Sequence, residues 1–209
     1  MGRRDGEKVV DGGDRQDGFL GLGWPEKAPW AWSLGFAVSF VLLYELHRLM
    51  EPMVAVVDAR VSLIFLPAFV RVVAVLVAGF AGALGIFAGA LFLGVVNGDG
   101  LWVATAQAAI SALSPCLAVV LLQFAIRRST RLFDLWTLVL VAGLTSLFSA
   151  LLHGAFWAEF EPTALSVGAH TVSLMMLGDL LGISLGFLLL HLGMALVRVI
   201  RLQIRVWRG

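Results

Sequence analysis

Only one cysteine, Cys116, is present, so an intrachain disulfide and any cysteine-built metal site are excluded. Its position inside an apolar run reads as a small packing residue. Charge is also scarce: 14% of the 209 residues are Asp, Glu, Lys or Arg, while 60% are hydrophobic. The formal net charge of +1 is too small to indicate a partner, and no nucleic-acid partner is expected. Catalytic signatures are missing too. There is no HExxH, no Gly-x-Ser-x-Gly and no phosphate loop, so no catalytic residue is assigned and a non-enzymatic role is expected.

What the chain has instead is apolar runs. Each of about 18 or more mostly apolar residues is long enough to span a bilayer as a helix. The expectation is an all-α, polytopic membrane bundle of six transmembrane helices, over residues 30–50, 61–79, 81–96, 101–126, 135–154 and 170–197. Residues 1–28, rich in Gly, Asp and Arg, read as a disordered cytoplasmic tail, and 29–198 as the membrane domain. Residues 199–209 read as a basic helix end. The tail lacks the basic start and immediate apolar stretch of a cleaved signal peptide.

Basic residues orient the bundle. With the N-terminus inside, the inner segments hold Arg3, Arg4, Lys8, Arg15, Lys27, Arg127, Arg128, Arg131, Arg198, Arg201, Arg205 and Arg208. Arg48 and Arg60 fall outside, and Arg71 lies in the membrane. The positive-inside rule then puts both termini in the cytoplasm, as for a bacterial inner-membrane protein. Trp30, Trp32, Trp136 and Trp207 would mark the inner interface, Trp102 and Trp157 the outer one. The joint between spans two and three, Gly79 to Gly82, carries no charge. A re-entrant hairpin from outside would leave the termini on the same side, so the charge pattern does not separate it from two full spans.

Two charges stand deep in apolar runs. Arg71 is ten residues into span two and Asp179 nine into span six, both spans running inward from the same surface. An ionised side chain at bilayer depth costs at least ~2.5–3.5 kcal/mol on insertion scales. Matching depth predicts that the two pair, with the arginine fork gripping the carboxylate bidentately. Such a pair either fixes helix register or serves a ligand.

A second set gathers toward the outer end: Glu45, His47, His153 and His170. Three imidazoles and a carboxylate offer ligands for a metal, or two axial ligands for a haem. No two share the i, i+4 spacing that fixes ligands on one helix, so no cofactor is predicted. His191 reads as a helix-end residue.

Small residues mark packing faces. Ala81, Gly85 and Gly89 repeat every four residues, as do Gly178, Gly182 and Gly186, and such ridges let helix backbones approach closely. They serve packing within the chain or, alternatively, a homo-oligomer. Pro67 and Pro115 sit inside spans two and four and predict kinks or breaks. Arg198, Arg201, Arg205 and Arg208 form one helical stripe, read as binding anionic lipid head groups.

Two stretches together resemble the MASE1 family of bacterial membrane sensory domains. One is Ile64-Phe65-Leu66-Pro67-Ala68, followed by Gly79 and Gly85-Ile86-Phe87-Ala88-Gly89. The other is Leu177-Gly178-Asp179-Leu180-Leu181-Gly182-Ile183, with the apolar residues 188–190 after it. Where the family usually shows a second proline and a glycine near Pro67, this chain has Leu66 and Phe69. The resemblance implies a sensory or interaction module without its own output domain, acting through a membrane or cytoplasmic partner. Six helices with both termini inside are also similar to the substrate-binding subunits of energy-coupling-factor transporters. That implies a small solute carrier, with Arg71 accepting an anion. A redox subunit or enzyme using Glu45, His47, His153, His170 and Asp179 ranks third.

Overall fold

A computed structural model describes residues 28–50, 56–58, 61–126, 135–160 and 169–208. Most of the tail expected over 1–28, the basic loop with Arg127, Arg128 and Arg131, and the connection carrying Glu161 lie outside the described residues. The fold is all-helical apart from one short strand pair. Helix α1 covers Pro29–Met50, α2 Pro67–Val96, α3 Leu101–Ile126, α4 Leu135–Phe160 and α5 Ala169–Arg208. Strands β1 (Val56–Asp58) and β2 (Val61–Ser62) pair antiparallel between α1 and α2. All five helices are long and apolar enough to cross a membrane. Their outward faces carry large apolar groups such as Leu42, Phe80, Phe92 and Phe124, a surface suited to lipid.

The expected six helices are five, because α2 absorbs two of the six runs. It is not straight. Gly79 has φ 54° and ψ −127°, a conformation that a Cβ would make strained, and it divides α2 into two arms, 67–78 and 80–96. The arms fold back on each other. A Cβ on Gly82 would overlap the carbonyl of Ala74, eight residues earlier, whereas eight residues of continuous helix would separate them by about 12 Å.

The first arm also begins later than its hydropathy suggests. Residues 63–66 are non-helical, and Pro67 takes the first turn of the helix instead of kinking its interior. That position suits proline, since its missing N–H would have had no helical acceptor. Pro115, expected to break its span, sits fully buried inside an uninterrupted α3. α4 and α5 both run past the predicted ends of their spans, α5 continuing as helix through the basic residues 199–208.

The glycine ridges explain how these parts fit. Gly85 and Gly89 lie against Ser33 and Ala37 of α1, and Ser33 Oγ donates to the Ala81 carbonyl at 2.7 Å. Gly178 and Gly182 lie against the carbonyls of Ser62 and Phe65, and Gly186 against the Phe69 ring. Both ridges are therefore filled from within the chain. The second one covers the non-helical stretch, with Phe65 N–H donating to the Gly178 carbonyl at 3.0 Å. Irregular backbone at membrane depth is stable only under such protein cover.

The first arm of α2 is the central element. Val72 and Val75 pack with Ala118, Val119 and Leu122 of α3, Val141 of α4 and Ile183 of α5. Val70 and Ala74 join Ile86 of the second arm, Phe40 of α1 and Ala112 of α3. Beyond Phe187 the helix α5 leaves this core, and every residue from 188 to 200 is exposed.

Candidate functional site

Between this core and the end of the bundle where α1 and α4 finish lies a cavity of about 310 Å³. Every helix contributes to its wall. Tyr44 and His47 come from α1, Arg71 from the first arm of α2, Gln107 and Ser111 from α3, His153 and Trp157 from α4, and Asp179 from α5. Ser62 and Phe65 of the non-helical stretch line it as well, and Asp99 stands in the loop joining α2 to α3. The non-helical stretch before Pro67 thus forms part of the cavity wall.

Arg71 and Asp179 meet in the cavity wall. Arg71 Nη2 lies 2.7 Å from Asp179 Oδ2, and each side chain is 2% exposed. Backbone register alone does not bring them together: Ser62, Phe65 and Phe69 lie against Gly178, Gly182 and Gly186, so the Arg71 backbone stands past the level of Asp179 and its long side chain reaches back along α5 to the carboxylate. A third helix completes the contact: Arg71 Nη1 donates to Ser149 Oγ of α4 at 3.0 Å. The guanidinium carbon stands 5.4 Å from the Phe65 ring centroid, a cation–π contact in a desolvated setting.

The bidentate fork expected from sequence does not form. The 2.7 Å approach has the distance of an ion pair, but its angles are not those of a hydrogen bond. Arg71 Nε and Nη2 and Asp179 Oδ2 have no aligned hydrogen-bond partner among the described residues. Trp157 Nε1 is in the same condition. Buried polar groups are nearly always paired; Nη2 and Oδ2 face each other as an ion pair, whereas Arg71 Nε and Trp157 Nε1 have no such contact and call for an explanation. The pair's attraction offsets only part of the cost of burying two charges, yet removing either partner typically costs ~3–5 kcal/mol because it strands the other.

The other polar residues separate into two groups. His47 and His153 are both buried and line the cavity. His153 Nδ1 lies 2.9 Å from the Ser149 carbonyl, so Nδ1 carries the proton and donates. The neutral ring then leaves Nε2 as an acceptor. The His153 and Trp157 rings lie 5.5 Å apart, and the His47 ring meets Phe65 edge-on at 5.4 Å. Glu45 and His170 stand apart from this group. Glu45 pairs with Arg48 at 2.7 Å on the helix surface, and His170 is exposed. The expected four-residue cluster is therefore not assembled, because Glu45 precedes His47 by two residues and so faces another side of α1. Among the described residues, no three His, Cys, Asp or Glu converge as a metal site.

Trp157, expected at the outer interface, is 4% exposed and belongs to the cavity, while Trp102 stays exposed. His191 and Arg198 are exposed on α5. Arg201, Arg205 and Arg208 continue that helix, with side chains outside the described residues. No protein-family model, curated protein or solved structure matches this chain. The likeness to MASE1 domains therefore rests on its two sequence motifs alone.

Proposed function

We propose that this protein binds a small organic solute inside the membrane, in the cavity walled by Arg71 and Asp179. The observation that carries the reading is a cavity whose wall holds a buried ion pair, Arg71 with Asp179, beside two unpartnered donors, Arg71 Nε and Trp157 Nε1. The volume, about 310 Å³, falls at the small end of ligand sites, which run from ~300 to 1,000 Å³. Aromatic walls with a few convergent polar groups are the usual composition of such a site. Non-helical backbone beside a buried charge is also a feature of binding sites in membrane carriers.

On this reading the chain crosses the bilayer six times, α2 supplying two passes, with both termini in the cytoplasm of a bacterial cell. The rungs on α5 support it: Ser62 to Phe69 run alongside Gly178 to Gly186, about 12 Å, and residues 70–78 add about 14 Å. The sum approaches the ~30 Å hydrocarbon thickness. The cavity then opens outward, and the arginine stripe at the end of α5 meets the inner head groups. The sensory alternative begins with the same binding event and adds a partner that reads occupancy.

Ala108 is fully buried and lines the cavity from α3, so Ala108→Phe fills it without altering a polar wall residue. The small-molecule fraction of the native cell should raise the unfolding midpoint of the wild-type protein and leave the folded Ala108→Phe variant unmoved. Equal shifts in both, or none in either, would reject the reading.

A further inference from the structure

The charges in the cavity wall constrain what can enter it. Arg71 is already neutralised by Asp179, both being 2% exposed. An added anion would have to take Arg71 from Asp179, leaving a buried carboxylate unpaired. An added cation would leave Arg71 unpaired in the same way. Either exchange strands a charge in a low-dielectric site. An uncharged guest avoids both.

The orphaned atoms add a second constraint. Arg71 Nε and Trp157 Nε1 are donors without a partner, and the Asp179 carboxylate, which lines the cavity beside them, is an acceptor, so donor and acceptor capacity stand side by side at one ion pair. A guest with a carbonyl next to an N–H meets both, its oxygen accepting from Arg71 and its N–H donating to Asp179. The walls give the third constraint. Phe65, Tyr44, His47, His153 and Trp157 present rings around the cavity, which favours a flat, unsaturated body that can stack or meet them edge-on.

We infer that the solute is an uncharged planar ring carrying an adjacent carbonyl and N–H, the cyclic-amide edge found in lactams, ureides and oxo-purines or oxo-pterins. The inference deepens the solute-binding reading and rests on it. It replaces the expectation, drawn from sequence, that Arg71 accepts an anion. Asp179, not Arg71 alone, becomes a specificity-determining residue.

The test is isothermal titration of the full chain in lipid nanodiscs, with Ala108→Phe titrated in parallel to subtract partition into lipid. Four bicyclic probes of similar size separate the terms: 2-quinolone, N-methyl-2-quinolone, 2-naphthoate and 2-naphthylmethylamine. The expected result is heat sensitive to Ala108→Phe for 2-quinolone, with the other three binding at least tenfold more weakly. Loss of the N–H should cost at least that factor because Asp179 then faces a methyl group. Asp179→Asn, which can present an amide donor in place of an acceptor, should narrow the gap between the two quinolones. Tighter binding of 2-naphthoate or of the amine would overturn the inference while leaving solute binding intact. Equal binding of the two quinolones would overturn the role given to Asp179. No cavity-dependent heat with any probe would overturn both the inference and the reading beneath it.

Discussion

The carbonyl of Phe65 occupies the space into which Gly182 would project a Cβ. This contact holds the non-helical stretch before Pro67 against α5, and that stretch contributes Ser62 and Phe65 to the cavity wall. An alanine here would collide with backbone, which cannot swing aside as a side-chain tip can. Gly182→Ala should cost ~1–3 kcal/mol, the usual penalty for overpacking a close contact. Gly193, on the same helix, has nothing within 4 Å of where its Cβ would stand. Gly193→Ala should be neutral or raise stability by ~0.5–1 kcal/mol through helix propensity. Unfolding midpoints of the two variants in the same detergent check the contrast.

Asp179→Ala leaves the Arg71 guanidinium buried beside Ser149 and Phe65 without its counter-charge. A loss of ~3–5 kcal/mol is expected, and a similar loss for Arg71→Ala. The double variant Arg71→Met with Asp179→Leu removes both charges and refills the volume, so it should be more stable than either single alanine variant. It should also bind no 2-quinolone. A double variant as damaged as the sum of the singles would mean that the two side chains are not energetically coupled.

Ser149→Ala removes the hydroxyl that accepts from Arg71 Nη1. Hydrogen bonds to charged groups contribute ~1.5–3 kcal/mol, so thermal unfolding should register a loss in that range. Ser184, exposed on α5 and bonded among the described residues to the Leu180 carbonyl of its own helix, is the control. Ser184→Ala should leave the midpoint within ~0.5 kcal/mol of the wild type.

Gly79 sets the topology. If the fold-back lies at the cytoplasmic surface, a cysteine replacing the exposed Phe80 should react with an impermeant maleimide from the cytoplasmic side only. Cys116→Ala removes the background thiol. Labelling from the periplasmic side would contradict the six-pass reading. Gly79→Ala, forced to φ near 54°, should unfold at a lower temperature through backbone strain of ~1–3 kcal/mol.

Much of this architecture is legible in the sequence, and the rest has identifiable reasons for being hidden. The apolar runs announce the helices, and two opposite charges in apolar runs point to a contact; equal counting along the two spans does not place it, because Ser62, not Arg71, stands level with Gly178. Residues 61–66 carry no such marker. A short run of Val, Leu, Ile and Phe fits a helix or an extended segment equally well, and only the tertiary contact with Gly178 and Gly182 decides it. The glycine spacing announces close approach, but not whether helix or irregular chain approaches.

The cavity wall was partly readable. Ser149, His153 and Trp157 recur every four residues on α4, and Gln107 and Ser111 are spaced alike on α3, placing polar groups on single helix faces. Those stripes point to a shared polar interior more directly than the set of Glu45, His47, His153 and His170, whose members share only residue type and depth. Ser149 lacks any mark as an arginine partner, since hydroxyls in apolar helices commonly bond back to their own chain, as Ser146 does to the Ala142 carbonyl.

Native mass spectrometry of protein released gently from its own membrane tests the central claim most directly. Wild-type protein should carry a small organic molecule in a one-to-one complex, and folded Ala108→Phe protein from the same cells should carry none. A wild-type protein that flies bare, or a bound molecule retained equally by both, would contradict the assignment of the Arg71–Asp179 cavity as a solute site.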